Sequence, residues 1–142
     1  MALDIKYRTQ AQASGNGRDG ITKLTSGLLT VTMNAPKELG GAGKGHNPEE
    51  LFAMGYAACF LSAMRFVAQT EQLGTVPAEA TVDAEVAIGA KESGGFELVV
   101  KLIAKMPGLE RETAETILKR AHEVCPYSDA TRGNIEVTLE LA

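Results

Sequence analysis

The succession of elements in this chain, βββ-α-ββ-α-β, predicts an α+β fold in one unit, 1-142. Three observations carry that prediction. Strand-like alternation occupies the first third, a long apolar helix follows it, and a hairpin, a second amphipathic helix and a last strand close the chain. The 142 residues are enough for a substantial core, and their balance of 44% hydrophobic and 23% charged residues is that of an ordinary globular protein. A net charge of −4 without a long basic run gives no support to a nucleic-acid partner or an anionic membrane surface. Met1 to Gln12 is polar and lacks an apolar signal-peptide core, so the expected compartment is the cytoplasm.

Asp4–Gln10 alternates and is expected to be the first strand. Gly15-Asn16-Gly17-Arg18-Asp19-Gly20 matches a dinucleotide fingerprint letter for letter. Ile21-Thr22-Lys23-Leu24 follows it, however, where that fingerprint needs a helix. The glycines are therefore assigned to a turn between the first strand and a second near Ile21–Leu24. Leu28–Met33 is the third strand, and Pro36 ends it. Gly40-Gly41-Ala42-Gly43-Lys44-Gly45 is expected to be a mobile approach. It fails as a phosphate loop, because Gly45 stands where Ser or Thr is required.

The central helix opens at Asn47-Pro48-Glu49-Glu50. Asn47 suits the cap, Pro48 the first helical position, and Glu50 completes a capping box. From Leu51 to Met64 the polar face is lost, and such a helix is covered by protein or by lipid. With Arg65 ending the run, the apolar stretch is shorter than the ~18–20 residues that span a bilayer. A buried central helix, reaching to about Leu73 with Gly74 as its cap, is therefore expected, and no membrane. Strands at Thr81–Ile88 and Phe96–Ile103 flank Gly94-Gly95 as a hairpin. The second helix runs from Glu110 to Val124 with Ala114, Ile117, Leu118 and Ala121 as its buried stripe, and Pro126 stops it. Ile135–Leu141 is the last strand.

Cys59 lies in the middle of the central helix and Cys125 at the end of the second. Each alone is most simply a core residue, since burial raises a thiol's pKa and quiets it. Redox or catalytic use is the better reading if the two meet. Their roles would then be unequal. Cys59 would need a fixed cation to become a nucleophile, and Cys125 would suit a resolving thiol. Arg18 on the glycine turn is the better candidate for that cation, and Arg65 the poorer. Ten helical residues place Glu49 about 15 Å from Cys59, too far for direct contact. Glu49 can serve such a site only through a long side chain such as Arg, or from a second copy of the helix. Small residues (Ala53, Gly55, Ala57, Ala58, Ser62, Ala63) suit close packing of two such helices, while a monomer covered by its own sheet remains the alternative. With two His and two Cys, none closely spaced, neither a metal nor another cofactor is expected.

Three segments together resemble one family. Gly40–Gly43 with Asn47–Phe60 is similar to the peroxidatic-cysteine segment of the organic hydroperoxide resistance (Ohr) proteins. So are Val124-Cys125-Pro126-Tyr127-Ser128 with Ala130–Asn134, and the Gly17-Arg18-Asp19-Gly20 turn. The sister OsmC branch shares Asn-Pro-Glu-Glu-Leu and Ala-Cys-Phe, but usually has His where Tyr56 stands, which favours the Ohr branch. The resemblance covers essentially the whole chain. It implies an OsmC-like fold, an intertwined homodimer with sheets wrapped around two central helices. It also implies a thiol peroxidase that reduces organic hydroperoxides, including lipid ones, to alcohols. By motif position Cys59 matches the peroxidatic cysteine, Cys125 the resolving cysteine, Arg18 the activating arginine and Glu49 the carboxylate that orients it. Glu50 is assigned to capping only. The implied reductant is a lipoyl-type dithiol. Two other expectations compete: an osmotically induced OsmC-type peroxidase, and a non-enzymatic dimer binding hydrophobic ligands with both cysteines in its core.

Overall fold

In a computed structural model that describes residues 2–142, the elements come in the order expected, with two additions, a 3-10 turn at Lys37–Leu39 and a short helix after the second one. The chain divides into two units, one reaching to Leu51 and the other running from Phe52 to Ala142.

The first unit is an antiparallel meander of β1 (Ala11–Gly15), β2 (Gly20–Leu24) and β3 (Thr30–Met33). Its first turn is the glycine segment, with Gly15 paired to Gly20 across the ladder. Gly15 (φ 73°) and Gly17 (φ 72°) occupy the left-handed region that glycine enters without a Cβ penalty. Gly20 has no room for a side chain, because a Cβ there would overlap the Ser14 carbonyl. The strand expected over Asp4–Gln10 does not form. Pairing starts at Ala11, and Ile5 and Tyr7 are exposed, so an alternating pattern has no neighbouring strand among the described residues to complete its ladder. The glycine approach is pinned rather than mobile. His46 N–H donates to the Thr32 carbonyl and Asn34 N–H to that of His46, while Gly41 and Gly43 donate to Pro36 and Ala35. The capping box is complete at the start of α1 (Pro48–Thr70). Glu50 N–H donates to Asn47 Oδ1 at 2.9 Å, and Asn47 N–H to Glu50 Oε1 at 2.9 Å.

The second unit holds the rest of α1 and a three-stranded sheet. In the sheet, β4 (Thr81–Ala90) and β5 (Phe96–Lys105) form the hairpin, and β6 (Val137–Leu141) pairs with β5 in parallel. Tyr56, Phe60, Met64 and Val67 make one stripe of α1. They are buried in a single cluster with Val100, Leu102 and Ala104 of β5 and with Ala114, Ile117, Leu118 and Ala121 of α2 (Arg111–Val124). Each large side chain so buried contributes about 1.5–3 kcal/mol. Arg65 lies inside α1, as expected of a helix reaching to about Leu73. Its guanidinium reaches back to the Val76 and Pro77 carbonyls at 3.0 and 2.9 Å, and the helix continues to Thr70. By length and composition alone α1 is long and apolar enough to cross a membrane, a test that a core helix also passes. The C-terminal turn also differs. Gln72, not Gly74, takes the left-handed conformation next to the helix (φ 53°), and Leu73 N–H closes on the Ala68 carbonyl. Pro126 stops α2 as expected but also starts the unexpected α3 (Pro126–Thr131), where its missing N–H costs nothing.

Candidate active site

In the first unit, the glycine turn carries Arg18 and the first turn of α1 carries Glu49. Arg18 Nη1 donates to Glu49 Oε2 at 2.9 Å and Nη2 to Oε1 at 2.6 Å, a bidentate ion pair that fixes the plane of the guanidinium. The Glu49 side chain is 12% exposed and that of Arg18 42%. The guanidinium holds the Glu49 carboxyl below the usual carboxylate range, and the carboxylate in turn raises the pKa of Arg18. Two exposed hydrogen bonds support the turn: Asp19 Oδ1 accepts from Asn34 Nδ2 at 3.2 Å, and Asn34 Oδ1 accepts from the Lys44 N–H at 2.9 Å.

In the second unit the two cysteines meet. Both are free thiols, and Cys125 Sγ lies 3.5 Å from Cys59 Sγ. Cys59 is half-buried rather than sealed in the helix as the sequence implied, while Cys125 is fully buried. Burial pushes the Cys59 thiol up, and the backbone amide of Tyr127 opposes that. The neighbouring Cys125 raises it further. Cys125 joins two elements, following the last turn of α2 and capping α3. Arg65, the other candidate cation, is committed to the Val76 and Pro77 carbonyls and is removed from consideration.

Several residues of the second unit escaped the sequence reading. Phe52, Tyr56 and Tyr127 form an aromatic cluster with ring centroids 5.5–5.9 Å apart. Tyr127 also explains Gly55, since a Cβ there would stand 2.6 Å from the Tyr127 hydroxyl. The Tyr56 hydroxyl meets Ser128 Oγ at 2.8 Å and Thr131 Oγ1 at 3.2 Å, and Ser128 Oγ meets His122 Nδ1 at 2.8 Å. The one signal available was Tyr56 itself, a hydroxyl inside an otherwise apolar run, which must find a partner once buried.

A family model described as OsmC-like protein matches residues 41–140. The organic hydroperoxide resistance protein of Xanthomonas axonopodis pv. citri is 48% identical over 139 residues, 97% of this chain and 96% of that one. The organic hydroperoxide resistance protein OhrA of Bacillus subtilis is 50% identical over 140 residues, 94% and 95% of the two chains. Among solved structures, an organic hydroperoxide resistance protein OsmC from Legionella pneumophila superposes with a TM-score of 0.91 at 45% identity, covering 98% of this chain and 99% of the other. The chain belongs to the OsmC-like family and, within it, to the organic hydroperoxide resistance proteins.

Proposed function

We propose that this protein is a cysteine-based thiol peroxidase that reduces organic hydroperoxides, including lipid ones, to alcohols. The observation that carries the reading is the approach of two free thiols to 3.5 Å in a member of a hydroperoxide-resistance family. Burial opposes ionisation of Cys59, so a thiolate there needs a cation. Arg18, held in a fixed plane by Glu49, is the proposed source of that charge. The Cys59 thiolate attacks the distal peroxide oxygen, the O–O bond breaks, and the alkoxide leaves to be protonated as the alcohol. Arg18 stabilises the charge developing on the leaving oxygen. Cys125 then attacks the sulfur of the Cys59 sulfenic acid. An S–S bond forms, the Cys125 proton and the Cys59 hydroxyl depart as water, and the bridge stores the two oxidising equivalents. A lipoyl-type dithiol reopens it by exchange and is itself oxidised.

The working form is proposed to be an intertwined homodimer of one-domain chains. Three features support a second copy. Ile5 and Tyr7 are exposed on a strand-patterned segment without a ladder. Met54 and Phe66 on α1 are 69% and 59% exposed. A helix of such apolarity also calls for cover on more than one side. The cytoplasm is the proposed compartment, where dithiols stay reduced and can return the bridge to thiols.

Turnover tests the proposal. A primary alkyl hydroperoxide and hydrogen peroxide are compared as substrates, each with dihydrolipoamide or thioredoxin as reductant. The alkyl hydroperoxide with dihydrolipoamide is expected to give the fastest sustained turnover. Consumption no faster than that of a Cys59→Ser variant would overturn the reading and favour a protein that only binds hydrophobic ligands.

A further inference from the structure

The buried face of α3 is unusual for so short a helix. Its buried residues are Ser128 and Thr131, both hydroxylic, so the helix is seated by hydrogen bonds rather than by an apolar stripe. Six residues do not hold a helix in isolation, and the start of α3 depends on what grips it from outside. That grip comes from Tyr56 of α1 and His122 of α2.

The grip has a fixed relation to the sulfurs. Tyr56 and Cys59 are three residues apart on α1, so they share a face one turn apart. Cys125 and Ser128 are likewise three apart, at the cap and in the first turn of α3. Two struts therefore join the same pair of helices side by side. One is the Tyr56–Ser128 hydroxyl bond at 2.8 Å, and the other is the Cys59–Cys125 sulfur contact at 3.5 Å.

Counting protons gives the hydroxyl strut a direction. The Thr131 hydroxyl donates to the Ser128 carbonyl at 3.2 Å, so its oxygen is left to accept from Tyr56. The Tyr56 oxygen then accepts from the Ser128 hydroxyl, and Ser128 Oγ accepts from His122 Nδ1–H. Every hydroxyl of the chain of bonds donates once, and among the described residues no side-chain nitrogen or oxygen is left buried without a partner. The neutral Nδ1–H tautomer and the imidazolium both supply the first donor, so protonation of His122 does not reverse the chain.

We infer that the buried chain His122–Ser128–Tyr56–Thr131 is a positioning element for the resolving step, holding the first turn of α3 against α1 so that Cys125 bears on the Cys59 sulfur. The inference rests on the thiol-peroxidase reading for the meaning of that step, but not for its test. A disulfide measures about 2.05 Å, so closure from 3.5 Å asks the sulfurs to approach by about 1.5 Å while the neighbouring strut stays in place. Preorganisation of this kind acts as effective concentration of one thiol at the other.

The experiment compares wild type with Tyr56→Phe, Ser128→Ala and the double variant. The first readout is the equilibrium of the Cys59–Cys125 bridge against dithiothreitol, which reports the pairing of the sulfurs whatever the protein's substrate. Each single variant is expected to lower that equilibrium constant by about tenfold, equivalent to about 30 mV. The double variant is expected to fall little further, because the Tyr56–Ser128 bond is common to both changes. The second readout is single-turnover oxidation by an alkyl hydroperoxide. Sulfenic acid formation is expected to stay within about twofold of wild type, while bridge formation slows about tenfold and Cys59 sulfinic acid accumulates. Denaturant unfolding is measured on each reduced variant, and weak bridging in a variant whose reduced form keeps its stability separates positioning from folding. An unchanged dithiothreitol equilibrium in both single variants would overturn the inference. If peroxide oxidises no thiol but the dithiothreitol equilibrium shifts as expected, the peroxidase reading fails and the positioning role stands.

Discussion

The Arg18–Glu49 pair and the Cys59–Cys125 pair are assembled by opposite physics. The ion pair sits at a turn and a helix start, partly in solvent, and is held by two charge-assisted bonds that set both distance and plane. The thiol pair sits against a closed core, and its surroundings disfavour charge on Cys59. The first pair is charged but has no group that reacts with a peroxide. The second holds a redox couple and lacks the charge that would activate it. The proposed mechanism needs both pairs, and the largest predicted effects come from taking one of them away.

Replacing Cys59 by Ser removes the nucleophile, and alkyl hydroperoxide turnover is expected to fall by about 10³-fold or more, measured by peroxide consumption. Arg18→Ala leaves both thiols and deletes the charge. A loss of about 10²–10³ in kcat/KM is expected. The ultraviolet absorbance of the Cys59 thiolate should then appear only at more alkaline pH than in wild type. An unshifted titration would detach Arg18 from the thiol. Glu49→Gln keeps Arg18 but loosens its plane, for an expected loss of about ten- to a hundredfold. The same carboxyl predicts a pH effect. Its folded pKa is depressed, so the support it gives is complete above the ordinary carboxylate range and fades as pH falls through the lowered value. Wild-type kcat/KM should accordingly gain an acid limb below that range, one that Glu49→Gln lacks. Smallest of all, Asn47→Ala breaks the capping box and is expected to cost about 1 kcal/mol in denaturant unfolding with kcat preserved.

How much of this was legible beforehand varies with the kind of interaction. The capping box, the glycine hairpin turn and the buried stripe of α2 follow local rules, and the structure places them where the sequence did. The strand at Asp4–Gln10 was misread because alternation signals a strand only where a ladder exists to receive it. Gly74 is the cap that propensity suggests, yet Gln72 takes the left-handed conformation and the Leu73 N–H closes on the Ala68 carbonyl. α3 was invisible because Pro126 reads equally as an ending and as a first helical position. Of the site, the four residues Cys59, Cys125, Arg18 and Glu49 were named in advance, and the structure joins them as two pairs. The hydroxyl chain through Ser128 and His122 was not, since its members lie far from Tyr56 in sequence and only folding gives them a common partner.

The most direct test of the account is the fate of the sulfurs after one equivalent of an alkyl hydroperoxide, followed by non-reducing peptide mass spectrometry. The account predicts one alcohol released per chain and a single Cys59–Cys125 bridge. It also predicts that a Cys125→Ser variant releases the same alcohol but stops at an oxidised Cys59. Unconsumed peroxide with both cysteines still free, or a Cys125 oxidised while Cys59 stays a thiol, would contradict it.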